Sequence, residues 1–386
     1  MNNLWIQNKR ISMKKFIVVF VLLLLLFGMV IPASTTPLIQ HNIWVQTVQG
    51  MGTGDYHPDT YGVAFSPNYI ADHTVFAGTY DGVYKSTDGG LTWTLKNKEG
   101  DLTIFHVNSV SVSPNYVNDH TLVAGTTEGV HQSTDGANNW ALISSDTLEA
   151  NVVAFSPTFP SDQTIFVGAW SGGVYVTNND GGTWNLAAAP LDTPRIRAFA
   201  ISPNFPTDHT LYVAANNNLT ANGGVYKSTN SGASWTPAKS GLDNPDVECL
   251  AISPNFVADH TLFAGTINGG VYRTTDGGQN WYHLPSTENW YAEAIALSPE
   301  YGLDRMVVTL GNNLEGIQVS RNSGATWMAM NAGFSTNDPD VLTYAFAPRE
   351  PGILSLFTGL GSGSDGGVWQ FIFEVHRLFI PIVIKK

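Results

Sequence analysis

The chain has 386 residues, 43% hydrophobic and 13% charged, with 38 Gly and 11 Trp. That hydrophobic share excludes a disordered chain, and the Gly and aromatic content suits a β-rich fold with many tight turns. The net charge of −13 argues against nucleic acid and anionic membrane surfaces as partners, and a single cysteine, Cys249, excludes an intrachain disulfide.

The first element in chain order is an export signal. Lys14 and Lys15 precede an apolar run over 16–31, followed by Pro32, Ala33 and Ser34. A basic start, an apolar stretch and a small residue at its end read as a secretory signal peptide over 1–33, cleaved after Ala33. An uncleaved N-terminal anchor is the alternative. Both place the chain outside the cytoplasm, secreted or at the cell surface; with the signal cleaved, no membrane span is expected in the mature chain. Removing Lys9, Arg10, Lys14 and Lys15 takes the net charge to −17.

A repeat then runs to the end of the chain. Ser-Pro dipeptides place Pro at 67, 114, 157, 203, 254 and 299, and Ala347-Pro348 is a seventh variant. Units of this length built from short strands indicate a propeller. Each unit reads as four strands, A to D. Two residues before each Pro, strand A carries Phe65, Val112, Phe155, Ile201, Ile252, Leu297 and Phe346. One step earlier it carries Ala64, Ser111, Ala154, Ala200, Ala251, Ala296 and Ala345. Period-two alternation predicts a bulky face packed on the small face of the neighbouring sheet. The seventh unit lacks a strand D of its own, while Ile43-Trp44-Val45-Gln46 matches strand D with no unit before it. The expected fold is all-β: a single seven-bladed β-propeller over 41–375, closed by the N-terminal strand in the last blade. No helix is expected after the signal. The tail, 376–386, is apolar then basic and too short to span a bilayer. It is expected to pack as an extra strand, with a sorting or attachment signal as the alternative.

Between strands C and D the first unit reads Ser86-Thr87-Asp88-Gly89-Gly90-Leu91-Thr92-Trp93. Counterparts centre on Asp135 and Trp140, Asn179 and Trp184, Asn230 and Trp235, Asp276 and Trp281, and Asn322 and Trp327. This turn resembles the Asp-box, or BNR repeat, of sialidase-like propellers. The resemblance implies a propeller and leaves function open. In each turn the Asp or Asn is expected to accept backbone N–H bonds, the Gly to take positive φ, and the Trp to pack beneath. One copy per blade spreads these acids round a rim, so they are read as structural. The Asp-His-Thr segments at His73, His120, His209 and His260 are read likewise, as loop residues capping their own turns. No metal, cofactor or catalytic residue is assigned. Cys249 reads as a small buried strand residue.

Strand order puts the A–B and C–D connections on one face and the B–C and D–A connections on the other. The first face is stereotyped, whereas the long irregular loops lie on the second. Six residues before each Pro stand Tyr61, Asn108, Asn151, Arg197, Glu248, Glu293 and Leu342, a column that changes at every return. Its polar members are the candidate binding residues, at the channel mouth on the irregular face. Trp170, Trp290, Tyr291, Tyr80 and Tyr56 are candidate stacking surfaces.

A sialidase-like activity would need an arginine cluster from several blades. Only Arg195 and Arg197 reach this face, so sialidase activity is not expected. Another glycoside hydrolase needs two facing carboxylates, and Glu248 and Glu293 on neighbouring blades are the candidate pair. The overall look is closer to the photosystem II assembly-factor family and to sortilin-type receptor propellers, which implies a non-enzymatic scaffold outside the cytoplasm. The expected function is a monomeric, exported binding propeller for a protein or carbohydrate partner. A glycoside hydrolase of the Asp-box type is the alternative.

Overall fold

A computed structural model describes residues 42–52, 57–96, 106–145, 147–187, 191, 194–216, 223–311, 316–334, 339–348, 353–361 and 366–374. The expected signal segment, the tail, Tyr56 and the interiors of several loops lie outside the described residues. Seven four-stranded antiparallel sheets form the seven blades of a β-propeller. Blade 1 is typical, with strand A Thr60–Phe65, B Val75–Thr79, C Gly82–Ser86 and D Thr94–Leu95. Blade 7 is closed by the first described strand: Trp44–Gln46 pairs with Gly367–Glu374, in the register Trp44↔Phe371 and Gln46↔Trp369. The ring therefore ends in no free sheet edge at the junction.

The strand A alternation packs the blades. Phe65 packs with Phe357 of blade 7, while Ala64 packs with Phe76 and Val110 at the junction with blade 2. Ile201 faces blade 3 and Ala200 faces blade 5 in the same way. A close approach between blades also lies one strand further out, at glycines in strand B. A Cβ on Gly168 would sit 2.4 Å from Ile196, and one on Gly359 would sit 2.2 Å from the Thr60 carbonyl.

Each strand D tryptophan reaches the blade before it. Indole Nε1 groups donate from Trp93 to the Thr47 carbonyl (2.7 Å), Trp140 to Lys96 (2.9 Å), Trp184 to Ile143 (2.7 Å), Trp281 to Ala238 (2.8 Å) and Trp44 to Met330 (2.6 Å). The indole Nε1 atoms of Trp235 and Trp327 are buried without such a partner among the described residues.

The stereotyped face satisfies its polar groups locally. In blade 1 the Ser86 hydroxyl accepts the Gly90 N–H and donates to Asp88, which accepts the N–H and hydroxyl of Thr92. These bonds hold the Asp88 carboxyl below its ordinary range, against the opposing effect of its burial. Across the A–B loop, Ser66 donates to Asp72, and Asp72 accepts the Thr74 N–H. This loop contains a helical turn that periodicity over four residues is too short to reveal: Tyr69–Asp72, with counterparts Tyr116–Asp119, Phe205–Asp208, Phe256–Asp259 and Tyr301–Asp304. His73, His120, His209 and His260 end these turns at φ of 48–51°. Their carbonyls accept N–H groups from Gly89, Gly136, Ser231 and Gly277, so the backbone of each histidine holds the following C–D turn. Among the described residues, no helix is long and apolar enough to cross a membrane.

Two predictions follow from this packing. Trp44 is 2% exposed and flanked by Phe334 and Phe371. Trp44→Ala should cost about 3–5 kcal/mol, and Trp44→Phe, which removes the closing hydrogen bond but keeps a ring, about 1–2 kcal/mol, read from urea midpoints. His131 is buried in strand C of blade 2, where four other blades carry Tyr, and burial lowers its pKa from 6.5 to about 4. The unfolded chain therefore binds a proton that the native state refuses between these values. Stability should be full above pH 6.5, fall as pH drops towards 4, and level off below. In His131→Tyr that part of the acid-side loss should disappear from thermal midpoints recorded against pH.

Candidate functional site

The seven column residues Tyr61, Asn108, Asn151, Arg197, Glu248, Glu293 and Leu342 all line one cavity of about 490 Å³ on the propeller axis. Local backbone explains how six of them get there. The A–B ladder slips by one residue between Thr60 and Gly62, and the slip recurs at Asn108, Asn151, Arg197, Glu248 and Leu342. A β-bulge leaves its extra residue without a ladder partner and re-aims the side chain. Glu293 arrives differently, because strand A of blade 6 begins only at Ile295.

Glu248 is the most enclosed charge of the group, 5% exposed. One carboxylate oxygen pairs with Arg197 Nε and the other accepts from the Asn216 amide. The Arg197 and Arg195 guanidiniums lie 5.4 and 4.6 Å from the Trp170 ring, which is 39% exposed at the start of the B–C loop of blade 3. Asn108 and Asn151 donate to the carbonyls of Ala150 and Ile196, which ties each to the next blade. Tyr61 stacks on His106 at 5.5 Å and donates to Asp59 at 3.0 Å. Burial, then that hydrogen bond, pushes the Tyr61 phenol up.

Glu293 stands apart from this bonding. Its carboxyl makes no hydrogen bond among the described residues. Burial raises its pKa, the charge of Glu248 raises it further, Arg197 pulls it back, and Asp340 adds a small upward push. Tyr344 lines the same cavity with its hydroxyl buried and unpartnered. Asp59, Asn216 and Asp246 each also bury one oxygen without a partner.

Three candidates lie elsewhere. Trp290 is 3% exposed and stacks edge-on against Trp327, so it covers an indole in the blade 5–6 core and offers no stacking surface. Tyr291 is half-buried and not on the cavity wall. Tyr80 sits exposed beside His106 at the rim. Sequence reasoning missed His106, Asn216 and Tyr344. The first stands two residues before Asn108, a position that strand patterning leaves unmarked. Cys249 is buried beside the cavity, its thiol donating to the Ala292 carbonyl and pushed up in pKa by burial.

The ion pair yields a stability prediction. Arg197→Ala would leave the Glu248 carboxylate buried with Asn216 alone, an expected cost of about 3 kcal/mol in urea unfolding. Replacing both with Leu should recover much of that cost. A single-variant loss below about 0.5 kcal/mol, the level of an exposed pair, would show the pair to be solvent-screened.

No protein-family model matches the sequence, and no curated protein matches it. Solved structures do match. An ancestral GH74 enzyme is 20% identical with a TM-score of 0.63, covering 85% of this chain and 46% of that one. YCF48 bound to D1 peptide is 14% identical with a TM-score of 0.58, covering 84% and 99%. YCF48 from Cyanidioschyzon merolae is 16% identical with a TM-score of 0.59, covering 85% and 98%. The chain thus spans about half the length of the GH74 enzyme and nearly the whole of YCF48. At these identities what it shares with them is the propeller fold.

Proposed function

We propose that this chain is an exported, non-enzymatic binding propeller that recognises a protein or glycan partner through the axial cavity on its B–C/D–A face. The observation that carries this reading is the bulge column. A repeated backbone device aims different residues, blade by blade, into one cavity, as a recognition surface requires and a repeated scaffold does not. Trp170, Tyr61 and His106 supply flat faces for stacking, and Asn108, Asn151 and Arg197 supply polar edges. The peptide-bound YCF48 structure is a precedent for a propeller that holds a peptide. Export rests on the expected signal segment over 1–33.

One observation favours hydrolysis as a second reading. Glu293 has a raised pKa beside Glu248, a pattern that general acid catalysis by a carboxyl uses. Against it, both oxygens of Glu248 are already engaged, by Arg197 and Asn216. That leaves Glu248 poorly placed as a nucleophile or base.

Peptide and glycan arrays separate the two. The purified chain should be captured by at least one ligand class, with capture weakened about tenfold in Trp170→Ala, and no glycan should be cleaved. Glycan cleavage that disappears in Glu293→Gln would replace the binding reading with the hydrolase.

A further inference from the structure

We propose that the axial cavity accepts a cationic side chain, the ammonium of a lysine or the guanidinium of an arginine on a partner peptide, with Glu293 as its counter-ion. This rests on the binding reading and specifies its ligand.

The charges around the cavity are unevenly settled. Arg197 and Glu248 cancel each other as an ion pair, reinforced by Asn216. Arg195 lies against Trp170. Glu293 is left facing the cavity with no hydrogen bond among the described residues, and Asp340 adds negative charge within electrostatic reach. A half-buried carboxylate that makes no hydrogen bond, and that the shared charge of Arg197 only partly offsets, is costly, and a cation is the group that removes that cost with the largest gain.

The remaining wall suits the stem of such a side chain. Leu342, Ala294 and Ile295 give an apolar surface near Glu293, and the Tyr61 and His106 rings continue it round the mouth. A long aliphatic stem packs on such surfaces while its charged tip reaches the acid, and a ring face adds a cation–π contribution. The Tyr344 hydroxyl, unpartnered against the same cavity, is one more polar group that the protein itself leaves unsatisfied. An anionic ligand meets the opposite situation, since among the described residues the guanidinium on the wall, that of Arg197, already holds Glu248. The acidic chain as a whole draws cations to the mouth from solution.

The test is a calorimetric titration of the purified chain with capped Gly-Lys-Gly, Gly-Arg-Gly, Gly-Glu-Gly and Gly-Gly-Gly peptides, and with butylamine. The basic peptides should bind, added salt should weaken them, and the acidic and neutral peptides should not register. Glu293→Gln should reduce binding of the basic peptides about tenfold, the loss of one charge-assisted contact, with its unfolding midpoint matched to the parent to exclude misfolding. Butylamine binding as tightly as Gly-Lys-Gly would assign the cation to a free amine, and weaker butylamine binding would assign it to a peptide. Equal binding of acidic or neutral peptides, or full affinity in Glu293→Gln, would overturn the cation assignment. If array ligands bind and are lost in Trp170→Ala while Glu293→Gln changes nothing, the binding reading stands and this one falls. If nothing binds in either experiment, both fall.

Discussion

The hydrogen bond from a strand D indole to the main chain of the preceding blade is the constraint on which the rest depends. It is made by Trp93, Trp140, Trp184, Trp281 and Trp44, the last from the N-terminal strand of blade 7 to Met330 of blade 6. Each bond is buried or half-buried and roughly forty residues apart in sequence, except at the closure. In an open repeat array each unit answers only to its neighbours. In a closed ring every junction also answers to all the others. Fixing the outer strands sets how far each sheet can rotate, and the strand B glycines then let the inner strands approach to contact. The axial cavity is what remains once those two distances are set.

The two faces of the ring solve different problems. On the A–B/C–D face each loop is closed by its own side chains, Ser66 to Asp72 and Ser86 to Asp88, and the loops are joined by the carbonyl of the residue that ends each helical turn. Lys85 donates to the Gly136 carbonyl and Arg273 to the Ser323 carbonyl, tying blades 1 to 2 and 5 to 6. Such a face is rigid because its acceptors and donors are consumed within it. That consumption shows what its repeated Asp side chains and His carbonyls do in the fold: they close and join its turns. The opposite face is free to vary, and it varies at the bulge.

Much of this was legible because the sequence repeats. Seven copies made the Trp, the Ser-Pro and the alternating Ala and Phe stand out as columns, and a missing strand D paired with a surplus one disclosed the closure. The helical turns were hidden, since four residues span barely more than one helical period. The bulge was hidden for a different reason. It is a property of register between two strands, and the column at Tyr61, Arg197 and Glu248 showed that these residues vary without showing why they turn to the axis. Partners set by tertiary approach were also out of reach: Asn216 holds Glu248 from 32 residues away. Trp290 misled because an aromatic in a connecting segment reads as exposed, when its place is to shield Trp327.

The distribution of unsatisfied groups points to the same place as the bulges. Six buried side-chain atoms lack a partner among the described residues, and two are the indoles of Trp235 and Trp327. The other four belong to Asp59, Asp246, Asn216 and Tyr344. Asp59 and Asp246 each stand two residues before a bulged residue, Asn216 touches one, and Tyr344 stands two residues after another. Buried polar atoms without partners are destabilising, so one that faces an open cavity, the Tyr344 hydroxyl, is not explained by folding. Natural sequences break their local rules chiefly where a site requires it. The column that varies and the bulge that aims it coincide at the axial cavity that all seven blades line, and there Tyr344 leaves its hydroxyl without a partner.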